Sequence, residues 1–220
     1  MGLSDWVNYF EKTNRSILLQ CETSRRLIEL IIENTLEDGL ILEAGCGSAL
    51  LSLLLADYGF NVTALDFDKN VVSYAKSRMC LNSNKLNFIQ GDIFKLSQSF
   101  KGKFFDTLCH SGVMEHFGND DIVKSLAEQR IISKKVIFSV PNNRNKLTDK
   151  HFGDERFLSN RKWVSLIKRA GFNRVKVFGG YDLSLSRYIY LILPGIFFRR
   201  KGSFWWQYFS RHSIFICENE

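Results

Sequence analysis

The chain is expected to fold as one α/β domain built on a mainly parallel sheet, and three observations carry that expectation. Short apolar, β-rich runs alternate with helix-patterned stretches, the order that strand-helix units impose. The 220 residues are 45% apolar and 14% aromatic, which is ample for a single large core. No low-complexity linker, internal repeat or charge block divides them, and Pro141 and Pro194 are the sole prolines.

Residues 1 to about 36 predict one or two helices, and Trp6, Tyr9 and Phe10 share a face there at i, i+3 and i+4. That face either packs into the core or covers a site. Strands are expected near 40–44, 62–65, 86–89, 105–109, 135–140, 174–178 and 213–217. The first runs into Gly45-Cys46-Gly47, and the helix beyond it (Ala49, Leu50, Leu51, Leu53, Leu54, Leu55) is apolar nearly all round. Val71, Val72, Ala75 and Met79 form one face of the next helix. Trp163, Leu166, Ile167 and Ala170 form another, which stops at Gly171. Asn119 or Asp120 is expected to cap the helix running from Ile122 toward Ile132.

Residues 181–211 form an insert between the sixth and seventh strands. It contains the apolar run Tyr188–Phe198, then Arg199, Arg200 and Lys201, with Trp205 and Trp206 beyond. A run interrupted by Pro194-Gly195 is too short to span a bilayer, which takes about 20 residues. It suits a peripheral membrane contact, a greasy acceptor, a cap over a pocket or a dimer contact; the oligomeric state is left open.

The strongest chemical signal is Ile41-Leu-Glu-Ala-Gly-Cys-Gly47, followed 19 residues later by Asp66 at the end of a second strand. Glycines at 45 and 47 bare the backbone to a ligand, and a carboxylate at the tip of the neighbouring strand can accept both hydroxyl hydrogens of a ribose. Leu50 stands where a dinucleotide-binding turn has its third glycine. A ligand with ribose but no pyrophosphate is therefore expected.

Glu43-x-Gly45-x-Gly47, Asp66, and Gly91-Asp92-Ile93 closing a third strand together resemble the class I S-adenosylmethionine-dependent methyltransferases, over most of the chain. The resemblance implies a Rossmann-like, doubly wound, seven-stranded sheet, mostly parallel, with an antiparallel last strand (here Ser213–Cys217) between strands five and six. It also implies an N-terminal helical lid at 1–36 over a cofactor-binding domain at 37–220. The implied cofactor is S-adenosyl-L-methionine and the product S-adenosyl-L-homocysteine. Gly45, Cys46 and Gly47 would pack against the methionine part, Asp66 would bind the ribose and Asp92 the adenine amino group. Glu43 would support the turn, Phe67 and Ile93 would flank adenine, and Trp6, Tyr9, Phe10 and Asn142 would line the acceptor pocket.

On the acceptor side, His110 is expected at the carboxyl end of strand four, beside the methionine moiety or the transferred methyl, because ligands collect at such ends. Glu115-His116-Phe117-Gly118 resembles the Glu-His element of quinone-biosynthesis methyltransferases and of cyclopropane-fatty-acid synthases, whose glutamate helps to hold a bicarbonate base. Glu115 and His116 thus join His110 as candidate catalytic residues. The alternative for His116 is an anchor of helix to sheet. Gly112 replaces the first glutamate of metal-binding RNA-end methyltransferases and leaves His151 as a stray donor, so no metal is expected. Strand four is not followed by Asn/Asp-Pro-Pro-Tyr, which argues against methylation of DNA bases.

The net charge of +7 is uneven: residues 1–143 hold 15 Lys+Arg against 17 Asp+Glu, and residues 144–220 hold 15 against 6. A basic C-terminal third suits RNA, anionic lipid or an acidic small substrate, or is simply a solvated face. Five scattered cysteines without Cys-x-x-Cys spacing, and a start carrying Asp5 and Glu11 in place of a secretion signal, lead to an expected cytoplasmic location. The expected function is methyl transfer to oxygen, nitrogen or carbon of a small molecule. Methylation of RNA or lipid, and a non-catalytic cofactor-binding module, are the alternatives.

Overall fold

Each expected strand is present, with limits within two residues of those anticipated: β1 (Leu40–Ala44), β2 (Asn61–Asp66), β3 (Leu86–Gln90), β4 (Phe105–Ser111), β5 (Ser133–Pro141), β6 (Arg174–Gly179) and β7 (His212–Glu218). The structure, a computed structural model, describes residues 5–13, 17–78, 84–143, 155–180 and 210–219. Met79, the stray donor His151 and the insert from Tyr181 through Trp206 lie outside the described residues.

The strands form one sheet in the order β3-β2-β1-β4-β5-β7-β6. Five pair in parallel, and β7 runs antiparallel between β5 and β6. The chain winds outward from β1 to β3 and then returns to β4 on the other side of β1. This reversal opens a crevice at the carboxyl ends of β1 and β4, where ligands bind in open α/β sheets.

Helices cover both faces. On one side, α2 (Ile17–Asn34) and α3 (Leu50–Tyr58) bury Leu27, Leu30, Ile31, Leu51 and Leu55 against Ile41, Val62, Cys109 and Ile216. On the other, α5 (Leu96–Ser99), α6 (Asn119–Ile132) and α7 (Asn160–Arg169) set Leu96, Leu126 and Trp163 against Leu42, Leu108, Phe138 and Phe215. Smaller residues, Ala64 and Ala75, let α4 (Lys69–Ser77) approach β2 beside Cys46 and Ala49. Of the two N-terminal helices, α2 is thus part of the core layer, whereas α1 (Asp5–Thr13) sets its aromatic face over the crevice.

Side-chain caps start two of the helices. Asp68 caps α4 through Asn70 N at 2.8 Å, and Ser159 caps α7 through Lys162 N. The expected cap on α6 is corrected: Gly118 occupies that position without a side-chain bond, and Asn119 begins the helix. The Asn119 side chain is engaged instead by Arg156 Nη2 at 2.7 Å, while Asp120 and Asp121 sit in the first turn, where the helix dipole favours negative charge. No helix among the described residues is long and apolar enough to cross a membrane. Cys46, Cys109 and Cys217 are free and buried.

Candidate active site

The turn after β1 is built around two left-handed glycines, Gly45 at φ 75° and Gly47 at φ 52°. Added side chains would collide: a Cβ on Gly45 would stand 2.7 Å from Val113, and one on Gly47 would stand 2.6 Å from the Phe10 ring. Gly45 N and Cys46 N both donate to Leu65 O, so the turn is pinned to the end of β2. Glu43 supports it from below. Its Oε2 accepts from Ser52 N at 2.9 Å and also from Ser52 Oγ, supplying the N-terminal cap that Ala49 cannot give α3. Burial pushes the Glu43 carboxyl up to about 8, so it sits there as a neutral acid.

Asp66 ends β2 and reaches back to the turn. Its Oδ2 accepts from Gly47 N at 3.0 Å and its Oδ1 from Asp68 N at 3.1 Å. Burial raises its pKa and those two N–H donors pull it back. A carboxylate has about four acceptor sites, so each oxygen retains capacity for one more donor. Next in the sheet, Asp92 turns Oδ1 to Phe94 N at 2.9 Å and leaves Oδ2 only a distant Lys95, at 3.9 Å. Between the two acids stand Phe67, 60% exposed despite its aromatic ring, and Ile93.

All these groups line one cavity of about 900 Å³, together with the aromatic face of α1. Phe10 stacks on Tyr74 of α4 (6.2 Å, 17°), and Trp6 meets His116 edge-on (5.6 Å, 89°). S-adenosylmethionine fits this set of groups. Bare glycine backbone admits its methionine arm, the spare lone pairs of Asp66 suit a ribose diol, and Asp92 Oδ2 between apolar flanks suits an adenine amino group. Arg26, nearly buried on α2 with Nη1 on Glu29 at 3.0 Å, supplies a cation in the cavity wall.

The cavity continues past the glycine turn to a polar corner. A single 3-10 turn, Met114–His116, sets Glu115 in its wall with 5% exposure. Among the described residues, Glu115 Oε2 is buried without a hydrogen-bond partner. Burial is the main cause that lifts its carboxyl to about 7, with Glu155 pushing the same way and His116 and His212 pulling down. Ser139, Glu155 and His212 line the same cavity.

Two expected site residues lie elsewhere. His110 does not reach the cavity, because β4 runs on to Ser111 and side chains alternate along a strand, which turns His110 toward α6 and α7 with Leu108. Its ring is fully buried and stacked on Phe138 (4.8 Å, 21°). Asn142 is also buried and does not line the cavity: its Nδ2 donates to Ser210 O and Ser213 Oγ, both at 3.0 Å. Sequence reasoning missed Tyr74, Arg26 and His212. His212 has no local signal, since it reaches the crevice through the antiparallel entry of β7.

Burial pulls the His110 pKa from 6.5 to about 3, so the folded protein holds this imidazole neutral. The unfolded chain takes up a proton below about 6.5 and the folded one does not, so this contribution is intact above that pH and is lost as pH falls toward 3. Denaturant titrations should show wild-type stability falling by up to about 1.4 kcal/mol per pH unit below pH 6 from this group alone. His110→Leu should flatten that slope; equal slopes in the two proteins would contradict the assignment.

Comparison with known proteins agrees with the geometry. Residues 41–135 match a family described as methyltransferase domain. The ubiquinone biosynthesis O-methyltransferase of Rickettsia canadensis (strain McKiel) is 33% identical over 118 residues, covering 51% of this chain and 48% of that protein. That of Rickettsia akari (strain Hartford) is 37% identical over 79 residues, 36% of this chain and 30% of the relative. The chain thus matches half or less of the length of these relatives. Among solved structures, a SAM-dependent methyltransferase from Archaeoglobus fulgidus superposes with a TM-score of 0.69 at 16% identity, covering 97% of this chain and 99% of that one. A possible histamine N-methyltransferase from Thermotoga maritima gives 0.66 at 16% identity, covering 98% and 97%. At that identity the superpositions speak for the fold alone. Residues 41–135, which hold the glycine turn, Asp66 and Asp92, are thus similar to the methyltransferase domain family, and the fold is that of the superposed methyltransferases.

Proposed function

We propose that the chain transfers the methyl group of S-adenosylmethionine to a hydroxyl group of a small-molecule acceptor, with Glu115 as the group that takes the hydroxyl proton. One observation carries this reading: the glycine turn and the two acidic strand ends open into the same cavity as a buried carboxyl with an unpartnered oxygen.

When bound, the cofactor supplies an electrophilic methyl on a sulfonium centre. The chain's own residues orient, shield and deprotonate. Asp66 holds the ribose and Asp92 Oδ2 the adenine amino group, between Phe67 and Ile93. Arg26 offers a counter-charge to the methionine carboxylate. Trp6, Tyr9 and Phe10 on α1 close the cavity from above, so the lid of this reading is α1 and not the whole of residues 1–36. A carboxyl raised to about 7 is half ionised at neutral pH, which suits a general base for a hydroxyl.

Glu115→Gln tests the reading. Calorimetry should give wild-type affinity for S-adenosylhomocysteine. Turnover with a panel of phenols and catechols should fall by about 100-fold or more, and the rise of kcat with pH near 7 should disappear. A variant that keeps both the rate and the pH limb would exclude Glu115 as the base.

A further inference from the structure

We propose that the solvent face of α7 docks the protein on an anionic lipid surface. Arg161, Lys162, Ser165, Lys168 and Arg169 are all exposed, whereas Trp163, Leu166 and Ile167 are buried. At about 100° per residue the two sets fall on opposite sides of the helix, so burying one side obliges the other to face water. No acid occurs from Asn160 through Lys176, and Arg174 and Lys176, both exposed, continue the basic run past the helix. Arg130 of α6 adds a guanidinium beyond the last turn of α7, where a Cβ on Gly171 would stand 3.0 Å from Arg130 Nε.

Carboxylates offset little of this charge. Arg169 pairs with Asp120 at 3.0 Å, and Lys176 stands 4.0 Å from Glu218, which also faces Lys135 at 3.7 Å. The side chains of Arg169 and Lys176 remain 51% and 59% exposed even so, which leaves both open to an external anion. Arg161, Lys162, Lys168 and Arg174 make no ion pair among the described residues. Like charges gathered on one face repel one another, and an opposing anionic surface relieves that repulsion.

Two observations select lipid over single-stranded RNA. The α7 face offers cations and a serine but no exposed aromatic ring on which a base could stack. The start of α7 is also tied to the place where residues 181–209 rejoin the sheet. Ser213 Oγ donates to Asn160 Oδ1 at 2.6 Å, and Asn142, which bridges to Leu158 just before the helix, donates through Nδ2 to Ser213 Oγ. The sequence that enters there carries the apolar run Tyr188–Phe198, then Arg199, Arg200 and Lys201, then Trp205 and Trp206. Apolar, basic and tryptophan residues in that combination partition to a membrane interface. The docking surface is the α7 face, and the composition of the adjoining sequence selects the polyanion that it meets.

Co-sedimentation of the full chain with vesicles tests this, using phosphatidylcholine and phosphatidylserine in equal parts against phosphatidylcholine alone. The wild type should bind the anionic vesicles at least about tenfold more tightly than the neutral ones and lose that preference as salt rises. Each Lys or Arg near such a surface contributes about fivefold in affinity, so Lys162→Gln/Lys168→Gln should bind about 25-fold more weakly. The charge-matched control Lys69→Gln/Lys101→Gln, on α4 and on the turn before β4, should stay within about threefold of the wild type. Glutamine is a good helix former, so circular dichroism and the affinity for S-adenosylhomocysteine should not change in the α7 pair. Arg161→Gln/Arg174→Gln supplies a second pair with the same expected loss if the first fails to fold. No binding to anionic vesicles would overturn the proposal. Equal losses in the α7 pair and the control would reduce the effect to net charge, and equal binding to both vesicles would assign it to apolar contact; either result also overturns it. So would polyuridylate RNA binding that depends on the α7 pair in a protein that ignores vesicles.

Discussion

Replacing Asp66 by Ala is expected to abolish measurable binding of S-adenosylhomocysteine. Hydrogen bonds to a charged acceptor contribute about 1.5–3 kcal/mol each, so losing the two proposed to the ribose would cost on the order of 3–6 kcal/mol, or about 100- to 10,000-fold in affinity. The side chain also accepts from Gly47 N and Asp68 N, so its removal frees the turn that presents the bare backbone. Both losses act in the same direction. Asp66→Asn, which keeps one acceptor oxygen and can still engage one N–H, should retain weak binding. Calorimetry decides: affinity of Asp66→Ala within tenfold of wild type would remove Asp66 from the cofactor site.

The second large effect is expected in stability, from Glu43→Ala. Glu43 is 4% exposed and Ser52 is completely buried, so truncation strands the Ser52 N–H and hydroxyl in the interior. Unsatisfied buried groups cost about 1–3 kcal/mol each, which puts the loss at roughly 2–6 kcal/mol, a large share of an ordinary domain's stability. Urea titration should show that loss as a lower midpoint, and a change under about 0.5 kcal/mol would contradict the capping role. Glu43→Gln keeps an acceptor oxygen and should recover most of it. Because burial raises the folded carboxyl to about 8, its contribution is fully present below the unfolded value of 4.5 and is lost as pH rises through 8. The Gln variant should lack that decline.

The two results share an origin in the turn after β1. Glu43 below it and Asp66 beside it hold one short loop from two directions, which is why a glycine pair too common to be diagnostic alone became informative beside those acids. The same logic failed at His110. Its position at the end of an apolar run suggested a ligand, but one further pair of residues in β4 moved the strand end to Ser111 and left the imidazole in the core. Asn142 illustrates a different failure. It stands next to the crevice in sequence, yet its side chain is consumed by Ser210 and Ser213.

The presence and order of the strands, the glycine turn and the acids at 66 and 92 were determined by the sequence itself, because each rests on a local property: alternation of apolar side chains, freedom at positive φ, or a carboxylate at a strand tip. The polar corner was decided only by the tertiary structure. Glu115, Glu155 and His212 come from three distant parts of the chain and line one cavity because β7 enters antiparallel beside β5 and Asn142 ties its start in place. Which way a side chain faces, and whether burial shifts its proton affinity, depends on what packs behind it, and no local pattern carries that information.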